Sequence, residues 1–100
     1  MIVALALALA VQGPSPDAQS AMAAYRSCVD RAAVRLERSG EAADIVAEAA
    51  VESCQDALRA LLNVEAGDDW RYARVLRERV NAAMMARAQS RVVSIRADRR

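Results

Sequence analysis

The sequence predicts an all-α fold in which an antiparallel helical hairpin, held by one disulfide, packs against a long C-terminal helix. Three observations support this prediction. Ala, the best helix former, is the most frequent residue of the 100-residue chain. Aromatic residues, which favour strands, make up only 3% of it. Finally, Cys28 and Cys54 lie equally far from Glu41 along the chain, so a hairpin that turns at Ser39 and Gly40 brings their sulfurs to the same height.

The N-terminal segment resembles a secretory signal peptide in length and composition. Ile2 to Val11 is an uncharged apolar run, and Gln12-Gly13-Pro14-Ser15-Pro16 after it is expected to break a helix. Ten residues of helix span about 15 Å, half of a bilayer, so the run cannot cross a membrane. Ala18 and Ser20 supply a small-residue cleavage site, and Ala8-Leu9-Ala10 supplies a second.

We therefore expect residues 1–20 to be a cleaved signal peptide and residues 21–100 to be one helical domain, periplasmic or secreted. The alternative is a short buried helix of a cytosolic protein, and it is favoured by the lack of Lys or Arg directly after Met1. That alternative does not account for the two prolines and the glycine that follow the apolar run.

The first two predicted helices span about residues 18–38 and 40–64. At 100° per residue the first carries one apolar stripe, formed by Ala21, Tyr25, Val29, Ala32 and Leu36. Gly40 is expected to end this helix in a left-handed conformation, and Ser39 to cap the next one. The second helix places Cys54 within its apolar face.

Acidic residues line the opposite face of the second predicted helix. They recur at steps of three and four residues, at Glu41, Asp44, Glu48, Glu52 and Asp56. Carboxylates on one helix diverge outward, whereas a Ca²⁺ or Mg²⁺ site needs oxygens that converge. We therefore expect a solvated face, no metal and no cofactor.

A disulfide between Cys28 and Cys54 is expected because Ala residues along both helices let the axes approach closely, and because an exported chain meets oxidising conditions. Closing a loop of this length contributes about 3 kcal/mol in the chain-entropy treatment. A redox-active pair is disfavoured, since the two residues are far apart in sequence and Cys54 lies in an apolar face.

The third predicted helix spans about residues 68–97, after Gly67 stops the second, with Asp68 as its N-cap. We expect Trp70 to cover the open end of the hairpin core. An apolar stripe for packing into the hairpin follows, formed by Ala73, Leu76, Val80, Ala83 and Met84.

The C-terminal half of this helix is the predicted binding surface, because Arg87 and Arg91 interrupt the stripe and the last turns then look only partly docked. The candidate residues are Arg87, Arg91, Val92, Ile95 and Arg96. With Arg99 and Arg100 they form either a projecting basic arm or, through Val92 and Ile95, a contact with a second copy. The third alternative is a solvated tail whose Arg residues stabilise the helix dipole.

Charge and composition limit the function. Residues 21–67 carry a net charge of −3 and residues 68–100 one of +5. The chain has no His, which removes the usual general base and the commonest metal ligand, and it has no phosphate-binding or nucleophile motif. We therefore expect no enzymatic activity and no catalytic residue.

The expected role is that of a small exported module in the cell envelope, either a binding or scaffolding protein or an inhibitor-like one. Its partner would be another protein or a second copy. The alternative is an electrostatic binder of an anionic surface through the Arg-rich C-terminal helix, with weak contact. Nucleic acid is disfavoured by export and by the lack of aromatic residues between the Arg residues. Once the signal segment is removed, no transmembrane span is expected.

Overall fold

The computed structural model describes residues 15–100, which form four α-helices and no strand. Residues 1–14 of the predicted signal peptide, which include the apolar run Ile2 to Val11, lie outside the described residues, whereas its residues 15–20 contain the start of the first helix. The helices are α1 (Pro16–Leu36), α2 (Ala43–Glu52), α3 (Gln55–Ala66) and α4 (Trp70–Asp98), and a 3-10 turn, Glu37–Ser39, follows α1. The predicted all-α fold is confirmed.

Helix α1 begins two residues earlier than predicted. The Ser15 side chain caps it by accepting a hydrogen bond from the Ala18 N–H at 3.1 Å, and Pro16 occupies the first helical position. Proline is favourable there because its N–H would have no partner within the helix and its φ is already helical. Pro16 therefore starts the helix that it was expected to prevent. Cleavage near Ala18 stays a prediction.

The chain reverses direction between α1 and α2. Gly40 has a φ of 78°, which confirms the predicted left-handed conformation. The predicted capping role of Ser39 is wrong, because its Oγ accepts from the Glu41 N–H at 3.3 Å and Ala42 occupies the N-cap position of α2. Ser39 is the last residue of the 3-10 turn, and residues 40–42 complete the reversal before α2 begins at Ala43.

The second predicted helix is two helices, with a break at Ser53 and Cys54. The Cys54 N–H donates to the Val51 carbonyl at 3.1 Å, a step of three residues instead of four. The Ser53 hydroxyl also donates to the Ala50 carbonyl at 2.8 Å, and such local bonds compete with the helical ladder. Helices α2 and α3 together still form the returning arm of the predicted hairpin.

The predicted disulfide is confirmed. It joins Cys28, near the middle of α1, to Cys54, at the junction of α2 and α3, and the two Cα atoms are 6.0 Å apart. Cys54 is 1% exposed, so the bridge is part of the core.

Helix α4 packs against α1, α2 and α3 and runs parallel to α1, since its hydrogen bonds to successive residues of α1 and the 3-10 turn come from successive residues of α4. Its N-cap is Asp69, whose Oδ1 accepts from the Tyr72 N–H at 3.1 Å, so the prediction of Asp68 is wrong by one residue. The largest fully buried side chains are Tyr25, Leu58, Val29, Val92 and Cys54. Within residues 15–100, no helix combines the length and the apolar character that a membrane span needs.

The bundle has two distinct ends. The start of α1, the end of α3 and the start of α4 form what we call the open end. The end of α1, the 3-10 turn and the end of α4 form what we call the closed end.

Candidate functional site

The closed end is held by a buried carboxylate. Glu37 is 2% exposed and forms an ion pair with Arg99. Arg96 contributes twice: its Nη2 donates to the Glu37 carbonyl oxygen at 2.9 Å, and its Nε lies 3.8 Å from Glu37 Oε2. That Oε2 has no hydrogen-bond partner in the described part of the chain. The last turns of α4 are thereby fixed to the end of α1.

A second ion pair joins α1 to α4 midway along their contact. Arg87 donates from Nε and Nη2 to the two carboxylate oxygens of Asp30, at 2.8 and 2.9 Å. The hydrogen bond with Arg87 lowers the pKa of Asp30, burial opposes it, and the charges of Arg87, Arg91 and Arg26 lower it further. The same hydrogen bond raises the pKa of Arg87.

Tyr25 provides the third polar link between α1 and α4. Its ring is fully buried, and its hydroxyl donates to Asn81 Oδ1 at 3.2 Å. Burial raises the pKa of Tyr25, and the charge of Arg77 lowers it by less. The hydroxyl therefore stays neutral and serves to align the two helices.

The structure does not bring the predicted binding residues together as one free surface. Val92 is fully buried in the core and Ile95 is half-buried, whereas Arg91 is exposed. Arg87 and Arg96 are bound to α1 by the contacts described above. The last turns of α4 are docked more fully than the sequence indicated.

A signal for this docking is present in the sequence. The three polar links join residues 56 to 59 positions apart, a nearly constant offset that parallel helices require. Asp30 of α1 and Glu37, the residue directly after α1, are seven residues apart, and Arg87 and Arg96 follow at that offset. Pairing acids of α1 with cations of α4 at a fixed offset would have found these contacts.

A largely apolar opening lies at the other end of the bundle. This open-end groove has a volume of about 400 Å³ and lies between α1, α3 and α4. Arg26 and Glu65 supply one cation and one anion among its walls. The remaining lining residues are Ala18, Gln19, Met22, Leu61, Tyr72, Leu76 and Val80. Most of these lining side chains are apolar, so the groove can accommodate apolar side chains of another molecule.

Sequence reasoning missed this groove because it assigned Trp70 to cover it. Trp70 is instead 64% exposed, and the guanidinium carbon of Arg71 lies 5.2 Å from its ring centroid. With Asp69 as the N-cap, Trp70 is the first residue of α4 and projects away from the bundle. Tyr72 and Leu76, on another side of the same helix, line the groove.

The acidic row along α2 and the start of α3 is exposed. Arg59 lies 3.6 Å from Asp56 there, a solvent-exposed pair of little energetic weight. Among residues 15–100, no three Cys, Asp or Glu side chains converge as metal ligands would. No protein-family model, curated protein or solved structure matches the chain.

Proposed function

We propose that this chain is a small exported helical module of the cell envelope that binds a protein partner in its open-end groove. Because Ala18 and Gln19 line the groove, the proposal requires cleavage at the earlier candidate site, Ala8-Leu9-Ala10, which leaves both residues in the mature chain. The observation that supports the proposal is the groove itself, an opening of about 400 Å³ walled largely by apolar side chains of three helices. Binding of this kind serves a scaffold or an inhibitor equally well, according to what the partner does.

The size and charge of the groove favour a segment of a protein as the occupant. A volume of this order accommodates two or three apolar side chains, and each buried Leu-sized side chain contributes about 1.5–3 kcal/mol. Arg26 and Glu65 give the walls both signs of charge. A peptide carrying an acid and a base next to apolar anchors matches both, whereas an anionic lipid matches only the cation.

Export is supported by two independent features. The Cys28–Cys54 bridge belongs to the type of bond that persists in oxidising compartments. The apolar run from Ile2 to Val11 has the length of a signal-peptide core. Intact mass of the protein from its native host, with and without reductant before alkylation, tests both. A full-length chain with two free thiols would contradict export.

The groove is tested by photo-crosslinking in the native host. The photoreactive residue p-benzoylphenylalanine replaces Tyr72, at the groove, or Glu48, on the acidic face, as the matched control. We expect a discrete adduct from position 72 alone, and its loss when Leu76→Arg places a charge in the groove. An identical adduct from position 48, or one that survives Leu76→Arg, would overturn the proposal.

The alternative, an electrostatic binder using the C-terminal Arg residues, has less support. Arg87 is paired with Asp30, and Arg96 and Arg99 are paired with Glu37, so these cations are partly neutralised within the chain. The alternative predicts salt-sensitive retention on heparin or anionic vesicles. Retention that does not respond to salt would remove it.

A further inference from the structure

The outer face of α4 carries an apolar pattern that the bundle leaves uncovered. Val75 and Val93 are 44% and 55% exposed, and Ala82 and Ala86 between them are also exposed. We define the outer row as Val75, Arg79, Ala82, Ala86, Gln89 and Val93. Its members follow one another at alternating steps of four and three residues, the heptad spacing of helices that pair.

Helix α4 therefore has two apolar faces, and only one is buried within the chain. The buried face carries Val80, Met84, Ala88 and Val92. The outer row lies roughly on the opposite side of the helix, at 100° per residue. A helix with two apolar faces packs on two sides.

We propose that the outer row pairs with the outer row of a second copy of this chain, in antiparallel orientation about a two-fold axis near residue 84. The spacing is the same in both directions, so this axis places Val75 opposite Val93 of the second copy. It also places Ala82 opposite Ala86, and Arg79 opposite Gln89. A two-fold interface uses one patch twice, and this patch complements itself.

The chemistry of the opposed residues favours this pairing. Ala opposite Ala at the centre lets the two axes approach closely, and Val opposite Val fills the space towards each end. The Arg79 guanidinium meets the Gln89 side-chain carbonyl, an acceptor that it can use.

The antiparallel orientation follows from Arg79. A parallel pair in register would place Arg79 opposite Arg79, and like charges at a helix contact are unfavourable. A membrane surface is a poorer occupant, because the row has no aromatic residue and has a cation between its apolar members. The inference is independent of the open-end groove, because Val75 and Leu76 project about 100° apart from α4.

Sedimentation of the exported, oxidised protein over a wide concentration range tests the association. We expect a monomer–dimer equilibrium that Ala82→Arg weakens by at least about tenfold, because it sets Arg against the facing Ala and adds like charge near the axis. The matched control is Ala60→Arg, which changes an exposed Ala of α3 and should leave the dimer unchanged. A monomer at every concentration would overturn the proposal, as would equal weakening by both variants.

Cysteine pairing tests the orientation. Val75→Cys and Val93→Cys proteins, each with its native bridge intact, are oxidised separately and as a mixture. We expect covalent dimers chiefly in the mixture, because the two positions meet across the axis, whereas two copies of position 75 lie about 27 Å apart along α4. Efficient dimers of Val75→Cys alone would overturn the antiparallel pairing. Circular dichroism of each variant verifies that the helices remain folded.

Discussion

The two ends of the bundle use the same helices in different ways. At the closed end, Glu37 is buried beneath Arg96 and Arg99, and Val92 fills the core beside them. At the open end, the starts of α1 and α4 leave a groove of about 400 Å³ between them, and Trp70 projects into solvent. Polar contacts thus fix the register of α4 at one end, and a groove between three helices is open at the other.

The contacts that stabilise the fold and the groove proposed for binding lie in different parts of this short chain. The disulfide, the Asp30–Arg87 pair and the Glu37 contacts all lie in the middle of the bundle or at its closed end. The open end has the Tyr25–Asn81 hydrogen bond as its nearest polar link between α1 and α4. Changes at the closed end should therefore alter folding, and changes at the groove should alter binding more than folding.

The largest expected effect is that of the disulfide. Replacing both bridge residues, in a Cys28→Ala/Cys54→Ala variant, should lower the free energy of unfolding by about 3 kcal/mol, because the unfolded chain regains the freedom that the loop removes. Urea denaturation measures the change. Reduction of the wild-type protein serves as the control and should give a similar loss.

The Cys28→Ala/Cys54→Ala variant also tests whether the two ends differ in stability. The bridge lies between them, so its loss should loosen the end with fewer polar links. We expect amide hydrogen exchange to speed up more at the start of α4 than around Val92. Uniform acceleration along α4 would contradict the distinction between an open and a closed end.

At the closed end, removing the two Arg side chains should destabilise the protein more than removing the Glu37 carboxylate. An Arg96→Ala/Arg99→Ala variant leaves Glu37 buried without a cation, and we expect a cost of about 3 kcal/mol. Glu37→Ala should cost less, about 1–2 kcal/mol, because both Arg side chains reach solvent and can be hydrated. Equilibrium unfolding of both variants gives the ranking, and the opposite order would mean that the carboxylate is not held in a buried position.

The fold class and the disulfide could be predicted because they depend on local and periodic features. Ala content and apolar periodicity specify helices, and the positions of Cys28 and Cys54 about the turn at Gly40 specify the bridge. The break at Ser53 could not be predicted in this way, because a single side-chain hydrogen bond to a carbonyl competes with a helical pattern that continues on both sides.

The candidate site was harder to predict because it depends on how α4 lies against the hairpin. A helical wheel gives the faces of one helix, and it does not give the offset between two. The helical wheel of α4 therefore indicates a free cation at Arg87, whereas the structure pairs Arg87 with Asp30 of α1. The size of Trp70 favours a core position, but Trp70 directly follows the N-cap Asp69 as the first residue of α4 and is exposed.

We expect the Asp30–Arg87 pair to make a smaller, pH-dependent contribution to the free energy of unfolding. Because the pKa of Asp30 is lowered on folding, the pair stabilises the protein above the unfolded pKa of about 3.9 and loses this contribution as the pH falls through the folded value. Asp30→Asn should thus be less stable than wild type near neutral pH, and the gap should close below about pH 4. Urea denaturation at several pH values measures the gap, and a gap independent of pH would exclude the ionic origin.

The smallest expected effect is at Trp70, and it separates the two ends most directly. If Trp70 covered the bundle as the sequence indicated, Trp70→Ala would cost about 3–5 kcal/mol, as buried aromatic residues do. Because it is 64% exposed, we expect a change within about 0.5 kcal/mol.

As the single Trp of the chain, Trp70 also reports on its surroundings by fluorescence, and iodide should quench this fluorescence readily in the folded protein. Leu76→Ala, six residues further along α4 and in the groove wall, should cost more than Trp70→Ala, since Leu76 is half-buried. A costly Trp70→Ala, or a fluorescence that iodide does not reach, would mean that the open end is closed in solution and that the groove is not available to a partner.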